Sequence, residues 1–539
     1  MKQHIYGIAV FLVLFLISNP AFSQQREYIT GKLLDTKTQE PIAFASIRIK
    51  DRALGIISNT DGSFKIPLKY KEYGDVIEIS SMGYQKKEVP LLEFSLTDFN
   101  TVVLSPSILE LSEAVVQAKR RKKVKGPKRL SAAQIVRKAI EAIPENYPSR
   151  TFSSIGYYRD YQVKKDKYVN LNEAVLEVVD SGFQQHDLAT TQVRIYNYQS
   201  NEDFDQDLEG RFKYDYKKYK KYIDKAYLFN YGGNEFTILR IHDAIRNFKY
   251  NSYDFINVME RDFVDSHFIK KEEEINLDGE VLYAISFAKI LVKYRIIGKI
   301  YISKKDFAIH KMRYTLYDKT RTTESGEFDE NDVNEVTLFK VISEYARSYN
   351  KMYPNFISFF NTFQVNKPPK FILEETYLDT ECTCFQLTFN NRVDQLRAKT
   401  KEYYDIRFHG KKIPIDKILT KKGFEDLVFI YPKISRKEFL NMSSELNVAS
   451  RKRLEFTDLL TVEVTGLRDE YSNVINEMEY NTYKQFREFF IQKIQPNGST
   501  LKDTLYMKKD IPIFKDQPIV KPDNFDDYWM NTPLQNLKN

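Results

Sequence analysis

Residues 58–66, "SNTDGSFKI", set an Asp-Gly pair between polar residues and the alternating Phe64 and Ile66. Asp61-Gly62 tolerates the positive φ of a tight turn, so the stretch predicts a hairpin or edge turn between two strands. Working outward, "REYITGKLLD" alternates apolar and polar residues, and "TKTQEPIAFASIRIKD" carries a turn at Pro41 followed by a strand. Ile47 and Ile49 lie on one face of that strand, and Ser46, Arg48 and Lys50 on the other, as a half-exposed strand requires. "DVIEISSMGYQKKEVPL" and "FNTVVLSP" add strands at close spacing. Residues 24–117 therefore read as a small antiparallel β-sandwich.

Gly31, the Glu40-Pro41 turn, Thr60-Asp61-Gly62-Ser63-Phe64, Gly83-Tyr84 and the closing "LSEAVVQA" occur in a fixed order. Taken together they resemble the carboxypeptidase-regulatory-like domain, the prealbumin-like sandwich appended to some metallocarboxypeptidases. The stretch is also similar to the N-terminal extension of TonB-dependent outer-membrane nutrient receptors of bacteria. This resemblance implies a β-sandwich that binds or spaces, and carries no catalytic residues with it.

The N-terminus "MKQHIYGIAVFLVLFLISNPAFSQQ" has Lys2, an apolar run from Ile8 to Ile17 and the small residues Ala21 and Ser23. That is the pattern of a signal peptide over residues 1–23, cleaved after Ser23, and it implies an exported protein, periplasmic or associated with the outer membrane. The run is too short for a comfortable membrane span, and no later segment holds 18 consecutive apolar residues. The formal net charge is +8. Outside the cytoplasm that charge points away from nucleic acid and towards anionic lipid or acidic polysaccharide. Only Cys382 and Cys384 are present, too few for a disulfide framework.

A chain of 539 residues implies two to four domains. "AKRRKKVKGPKRL" at 118–130 reads as a solvated basic linker, with docking to an anionic surface as its sharper use. Ser131 and Gln134 fit a capping box ahead of an apolar stripe through Ile135, Val136, Ala139 and Ile140, which Pro144 ends. "RFKYDYKKYKKYIDKAYLF" suits an amphipathic helix with its lysines in water. From "GEVLYAISFAK" to "FILEETYLDTECTCFQLTF" the chain alternates as a meander, predicting a broad, curved antiparallel sheet within an α+β region at 131–400. That sheet resembles, at fold level, the half-open barrel of periplasmic lipoprotein carriers. Residues 401–539 read as a mixed C-terminal region in which "FREFFIQKI" is a strand or short helix against the sheet. Its tail wraps the surface through anchors such as Phe525 and Trp529. The predicted fold class is thus mainly β, α+β, with a few helices.

Reactive groups are sparse. His4, His186, His242, His267, His310 and His409 begin no H-x-x-E and no H-E-x-x-H, so zinc-peptidase chemistry lacks its ligand set. There is no G-x-S-x-G, and no phosphate-binding glycine loop. An S-x-x-K runs from Ser286 to Lys289 inside a predicted strand without companion motifs. Cys382 and Cys384 read as a redox or metal pair or as two small apolar residues sharing one strand face, and the second reading is preferred. Glu327, Asp329, Asn331 and Asp332 offer oxygen ligands for Ca²⁺ or form a solvated hairpin loop, again with the second preferred. No catalytic, cofactor-binding or metal residue is assigned, and no cofactor is expected. The reading adopted is a non-enzymatic cell-envelope binding or assembly protein. Its partner would be an envelope protein, or an anionic lipid or polysaccharide met through the linker, with peripheral membrane association. One alternative is a carrier holding a lipid or other amphiphile in the sheet's concavity, in a pocket lined by residues such as Phe287, Ile300 and Ile302. A second is a hydrolase whose His and carboxylate groups the fold assembles. A transmembrane barrel in the C-terminal part is a minor alternative, since its strands would be few and charge-rich.

Overall fold

The computed structural model describes residues 27–52, 54–107, 130–214, 221–222, 231–250, 256, 258–277, 279–323, 331, 333–451, 459–498 and 505–534. The expected signal peptide, the linker up to residue 129 and most of the acidic loop lie outside the described residues.

Seven short strands build the N-terminal sandwich: β1 (Tyr28–Asp35), β2 (Ser46–Ile49), β3 (Leu54–Ile57), β4 (Ser63–Pro67), β5 (Val76–Ser80), β6 (Lys87–Pro90) and β7 (Asn100–Leu104). They form two sheets, ordered β4-β1-β7 and β3-β2-β5-β6. The expected all-antiparallel pairing is corrected at one place, because β7 runs parallel to β1. Ile29, Leu33, Phe64 and Ile66 from one sheet meet Ile47, Ile49, Ile77 and Ile79 from the other in a buried core.

The Asp-Gly turn is not a hairpin. It leaves β3 in one sheet and enters β4 in the other, so it is the crossover that makes the sandwich two-layered. Gly62 takes φ +78, and a Cβ there would sit 2.6 Å from the Leu33 carbonyl oxygen. That oxygen belongs to the neighbouring strand, so the turn accepts only glycine without rearrangement. Asp61 Oδ1 accepts from the Ser63 backbone N–H at 3.0 Å and from Ser63 Oγ at 2.6 Å, which fixes the entry into β4. Gly31 has a different reason, since a Cβ on it would clash with the edge of the Phe64 ring at Cζ. Tyr84 donates to Asp35 Oδ2 at 2.9 Å, while Asp35 Oδ1 accepts from the backbone N–H of Lys37 and Thr38. The motif residues thus tie distant turns of one small domain together.

The larger sheet takes β8 (Phe152–Lys164), β9 (Lys167–Asp180), β10 (Gln192–Ser200), β11 (Lys221–Tyr222), β12 (Phe268–Lys271), β13 (Ile275–Leu277), β14 (Glu280–Ile290), β15 (Tyr294–Ser303), β16 (Ile309–Thr322), β17 (Glu335–Ser348) and β18 (Lys351–Asn366). The chain then builds a second compact unit, Gln364–Asn481, from β19 (Leu373–Asp379), β20 (Cys384–Phe389), β21 (Tyr404–Phe408), β22 (Lys411–Lys412), β23 (Ile415–Lys421), β24 (Phe424–Pro432), β25 (Leu460–Val464) and the helix Arg436–Arg451. It returns as β26 (Tyr480–Gln495) in the middle of the large sheet, whose order is β10-β9-β8-β26-β18-β17-β16-β15-β14-β12. "FREFFIQKI" is therefore a central strand rather than an element laid against the sheet.

Three further expectations change. The "FILEETYLDTECTCFQLTF" strands pair within the separate sheet β19-β20-β24-β23 and do not extend the meander. The division expected at 400/401 falls inside the second unit, which has its own core of Phe371, Phe385, Leu387, Phe439 and Leu446 among others. Of "RFKYDYKKYKKYIDKAYLF", the described Lys221–Tyr222 is a short strand bridged to β18, not helix.

The helix Ala132–Glu141 has the capping box between Ser131 and Gln134, and buries Ile135, Val136, Ala139 and Ile140. With the helices Glu235–Ile241 and Phe263–Ser266 it lies with the side chains of one sheet face: Phe236 packs edge-on to Tyr158 and Phe489, and Phe263 to Phe287. The sandwich occupies the other face, where Tyr157, Ile342, Phe356 and Phe490 join its core cluster.

Candidate functional site

Three contacts seat the sandwich on the sheet. Phe44, held at φ +59, stacks on Phe356 with ring centroids 4.9 Å apart. Asn59, one residue beyond Ser58 at the end of β3, accepts through Oδ1 from Arg159 Nη1. Arg48 Nη2 donates to Asn355 Oδ1 at 2.6 Å. Arg48 was expected on the solvent side of its strand; the solvent side of β2 is instead the docking face.

The C-terminal tail is wedged beside these contacts and does not simply wrap the surface. Trp529 is buried and donates Nε1–H to the Lys65 carbonyl at 2.8 Å. Asn531 accepts from the Lys65 backbone N–H and donates to the Ile57 carbonyl, both at 2.7 Å. The two bonds at Lys65 satisfy the outer edge of β4, which is the edge of its sheet, and the third reaches the end of β3. Phe525 is half-buried and packs near Tyr196 and Tyr528.

Between sandwich and sheet lie two cavities, both touching Phe44. The larger, about 600 Å³, has Phe44 and Thr60 as its roof. Its floor holds Ile342, Phe360 and Phe486, with Lys340 and Lys484 among the polar lining. One floor row is explicit in the strand pairing, Thr315 opposite Lys340 and Lys340 opposite Phe360. Glu488 also lines it, but its charge is already paired with Arg159 at 2.5 Å. An apolar floor with lysines and one neutralised acid suits an apolar body carrying an anionic group.

The smaller cavity, about 290 Å³, is lined mainly by polar and charged residues. Asn355 passes the Arg48 contact on to Glu344, donating at 2.9 Å, and Glu344 pairs with Lys311 at 3.2 Å. His310 Nε2 stands 3.5 Å from Glu280 Oε2, and Ser303 Oγ donates to the other oxygen of the same carboxylate. Burial pushes the His310 imidazole below its ordinary range, and the Glu280 charge opposes that shift. Because Ser303 and His310 both address Glu280, the carboxylate stands between them, unlike a serine activated by an imidazole.

The family comparison applies to the domain that roofs both cavities. The CarboxypepD_reg-like domain model matches residues 29–116. Residues 29–116 are a CarboxypepD_reg-like domain. The TonB-dependent receptor SusC of Bacteroides thetaiotaomicron is 35% identical over 94 residues, which are 17% of this chain and 9% of the receptor. The likeness to that receptor is thus confined to the regulatory-like domain. Among solved structures, a LolA superfamily protein from Nitrosomonas europaea matches with 11% identity and a TM-score of 0.17, over 43% of this chain and 86% of its own. A DUF1329 family protein from Desulfovibrio piger matches with 8% identity and a TM-score of 0.19, over the same shares.

Phe287, Ile300 and Ile302 are fully buried, with Phe287 packed on Phe263 and His267, so the pocket expected from them is a filled core. His242 stacks on Phe359 at 3.9 Å and is pushed down to about 3 by burial; His267 is likewise pushed down to about 4. His409 meets Glu445 at 2.7 Å in the second unit, and His186 caps a single turn. Ser286 donates to Glu272 at 2.8 Å, and Lys289, three residues on in the same strand, takes the opposite face. Cys382 and Cys384 form a disulfide across the β19–β20 turn, with Thr383 at φ +56, rather than sharing a strand face. A carboxylate oxygen of Asp379 lies within 4.8 Å of both sulfurs, but the disulfide occupies them. Of the acidic loop, Glu327, Asp329 and Asp332 lie outside the described residues, and Asn331 donates to the Tyr317 hydroxyl at 2.7 Å.

One buried cluster had no local signal in the sequence. On the helix-covered face Arg487 joins Glu235 at 2.5 Å, Asn361 at 2.6 Å and Tyr214 at 2.7 Å. Nearby, Asp160 is pushed up to about 7, mainly by burial and then by the Glu235 charge. Lys221 is pushed down to about 8, again mainly by burial. Alternation in "YYRDYQ" marks which residues share a face, but only strand pairing shows which charges meet there.

Proposed function

We propose that the protein is a non-enzymatic binding protein of the bacterial cell envelope that holds an amphiphile, apolar body and anionic head, beneath its regulatory-like domain. The observation that carries this reading is the cavity of about 600 Å³, floored by Ile342, Phe360 and Phe486 and bordered by Lys340 and Lys484. Burying an alkyl chain there contributes about 0.8 kcal/mol per methylene, and the lysines favour a carboxylate or phosphate at one end. Export is supported by the leader-like N-terminus and by the receptor relative of the domain. The carrier reading keeps the amphiphile but moves it from a pocket expected at Phe287, Ile300 and Ile302 to the domain side of the sheet.

The test is titration with dansylated undecanoic acid, alongside mass spectrometry of solvent extracts from the purified chain. Saturable micromolar binding, weakened at least tenfold by Ser358→Phe at the cavity floor, is the expected result. Binding equal in both proteins, or none in either, refutes the reading.

A further inference from the structure

We infer that the open part of the large sheet, beyond the regulatory-like domain, is a docking surface for an anionic lipid bilayer. Directly paired residues share a sheet face, so the strand registers define what that surface carries. One row runs Phe268, Ala288, Ile297, Thr315, Lys340, Phe360. The next runs Lys270, Ser286, Lys299, Arg313, Ile342, Ser358. Ahead of the cavity lining the two rows hold Lys270, Lys299 and Arg313 and contain no carboxylate. Glu272, in the adjoining segment, approaches Lys270 at 3.2 Å.

At the outer end of this face apolar side chains stand in water. Phe268 is 74% exposed, Ile290 58% and Val292 93%. Single exposed apolar residues are ordinary, but these are grouped. Phe268 pairs with Ala288, two residues from Ile290 on the same face, and Val292 forms the turn of the β14–β15 hairpin. The turn is held firmly: Leu291 N–H donates to the Tyr294 carbonyl at 2.9 Å, and Lys319 reaches across to the Leu291 carbonyl at 3.0 Å. Lys293 is exposed beside it.

Apolar residues at a rigid tip, with cations set behind them, match the two-layer chemistry of a bilayer surface. The side chains enter the acyl boundary and the cations meet headgroup phosphates. An acidic polysaccharide offers the charge but no apolar phase for Ile290 and Val292. Thr315, Lys340, Phe360, Ile342 and Ser358, at the inner ends of the two rows, line the cavity. The docking surface is the part outside that lining, carrying Phe268, Lys270, Ile290, Val292 and Lys299, so bilayer docking stands whether or not an amphiphile is bound there.

The test is co-sedimentation of the full chain with vesicles of phosphatidylethanolamine and phosphatidylglycerol, against phosphatidylcholine alone, at low and high salt. Each surface cation near anionic lipid is worth about fivefold in affinity. Wild-type protein is expected to bind the anionic vesicles and to lose binding in high salt. Ile290→Ser with Val292→Ser, and separately Lys270→Glu with Lys299→Glu, are expected to weaken binding about tenfold or more with unchanged circular dichroism. Anionic-vesicle binding that is unaltered in both variants, as if carried by the Lys/Arg run at 118–130, overturns the inference. Equal binding to phosphatidylcholine, or no vesicle binding by the wild type, overturns it as well.

Discussion

Asn59 of the regulatory-like domain and Arg159 of the large sheet, 100 residues apart in the chain, meet in a buried hydrogen bond. The other guanidinium nitrogens of Arg159 bond Glu488, and the Asn59 amide donates to Ser63 Oγ at 2.8 Å and to the tail at the Pro533 carbonyl. Domain, sheet and tail therefore converge on one residue of the opening turn. Asn59→Ala leaves a buried donor unsatisfied and is expected to cost about 1–3 kcal/mol. Arg159→Met strands the Glu488 charge and is expected to cost about 3–5 kcal/mol. Urea unfolding checks both, and midpoints unchanged from wild type would show that the contact contributes nothing.

Gly62→Val tests the crossover. The left-handed backbone and the 2.6 Å approach to the Leu33 carbonyl act together, so a loss of about 2 kcal/mol or more is expected. Gly74, also at positive φ but with nothing within 4 Å, should lose about 1–2 kcal/mol when changed to Ala, from the left-handed backbone alone. Equal losses at the two sites in thermal unfolding would show that the close approach adds nothing.

How much of this was legible beforehand follows from which contacts are local. The Asp61-Gly62 turn, the alternation of β2 and the Ser131–Gln134 capping box are short-range signals, and the structure has all three. The crossover role of Gly62 was not legible, because a turn between sheets and a turn within one use the same residues. Arg48 looked solvent-facing because alternation separates two faces without saying what covers the second. Nor does "FREFFIQKI" reveal that a strand far downstream enters the sheet beside β8; that pairing is set by Phe490 opposite Tyr157 and by Glu488 opposite Arg159, 329 residues apart. The cavity was missed for the same reason, since Phe44, Ile342 and Phe486 share no local pattern.

Stability should depend on pH through Asp160. Its carboxyl is raised to about 7 from 3.8, so between those values the folded chain keeps a proton that the unfolded chain releases. The corresponding stability is full below about pH 4 and is lost as pH rises through about 7. Asp160→Asn is expected to flatten this slope by a few kcal/mol across the window, at about 1.4 kcal/mol for each tenfold change in proton affinity. Lys221, lowered to about 8, has the opposite sense: stability rises between about pH 8 and 10, where the unfolded chain's lysine still holds a proton that the folded chain has released. Parallel wild-type and Asp160→Asn curves from pH 4 to 7 would contradict the assignment.

The Cys382–Cys384 bond makes a separate chemical prediction. Chain recovered from an oxidising compartment and unfolded without reductant should take up no iodoacetamide, and two equivalents after reduction, by intact mass. Two adducts without reductant would mean free thiols.

Trp529 is the single tryptophan of the chain, buried in the same core cluster as Ile342 and Phe490 beneath the regulatory-like domain. Energy transfer from Trp529 to bound dansylated undecanoic acid therefore tests most directly whether the roofed cavity is the binding site. Saturable sensitised dansyl emission with matching quenching of Trp529 is expected, both weakened at least tenfold by Ser358→Phe. Binding without transfer, or transfer indifferent to Ser358→Phe, would place the ligand elsewhere and contradict the proposed site.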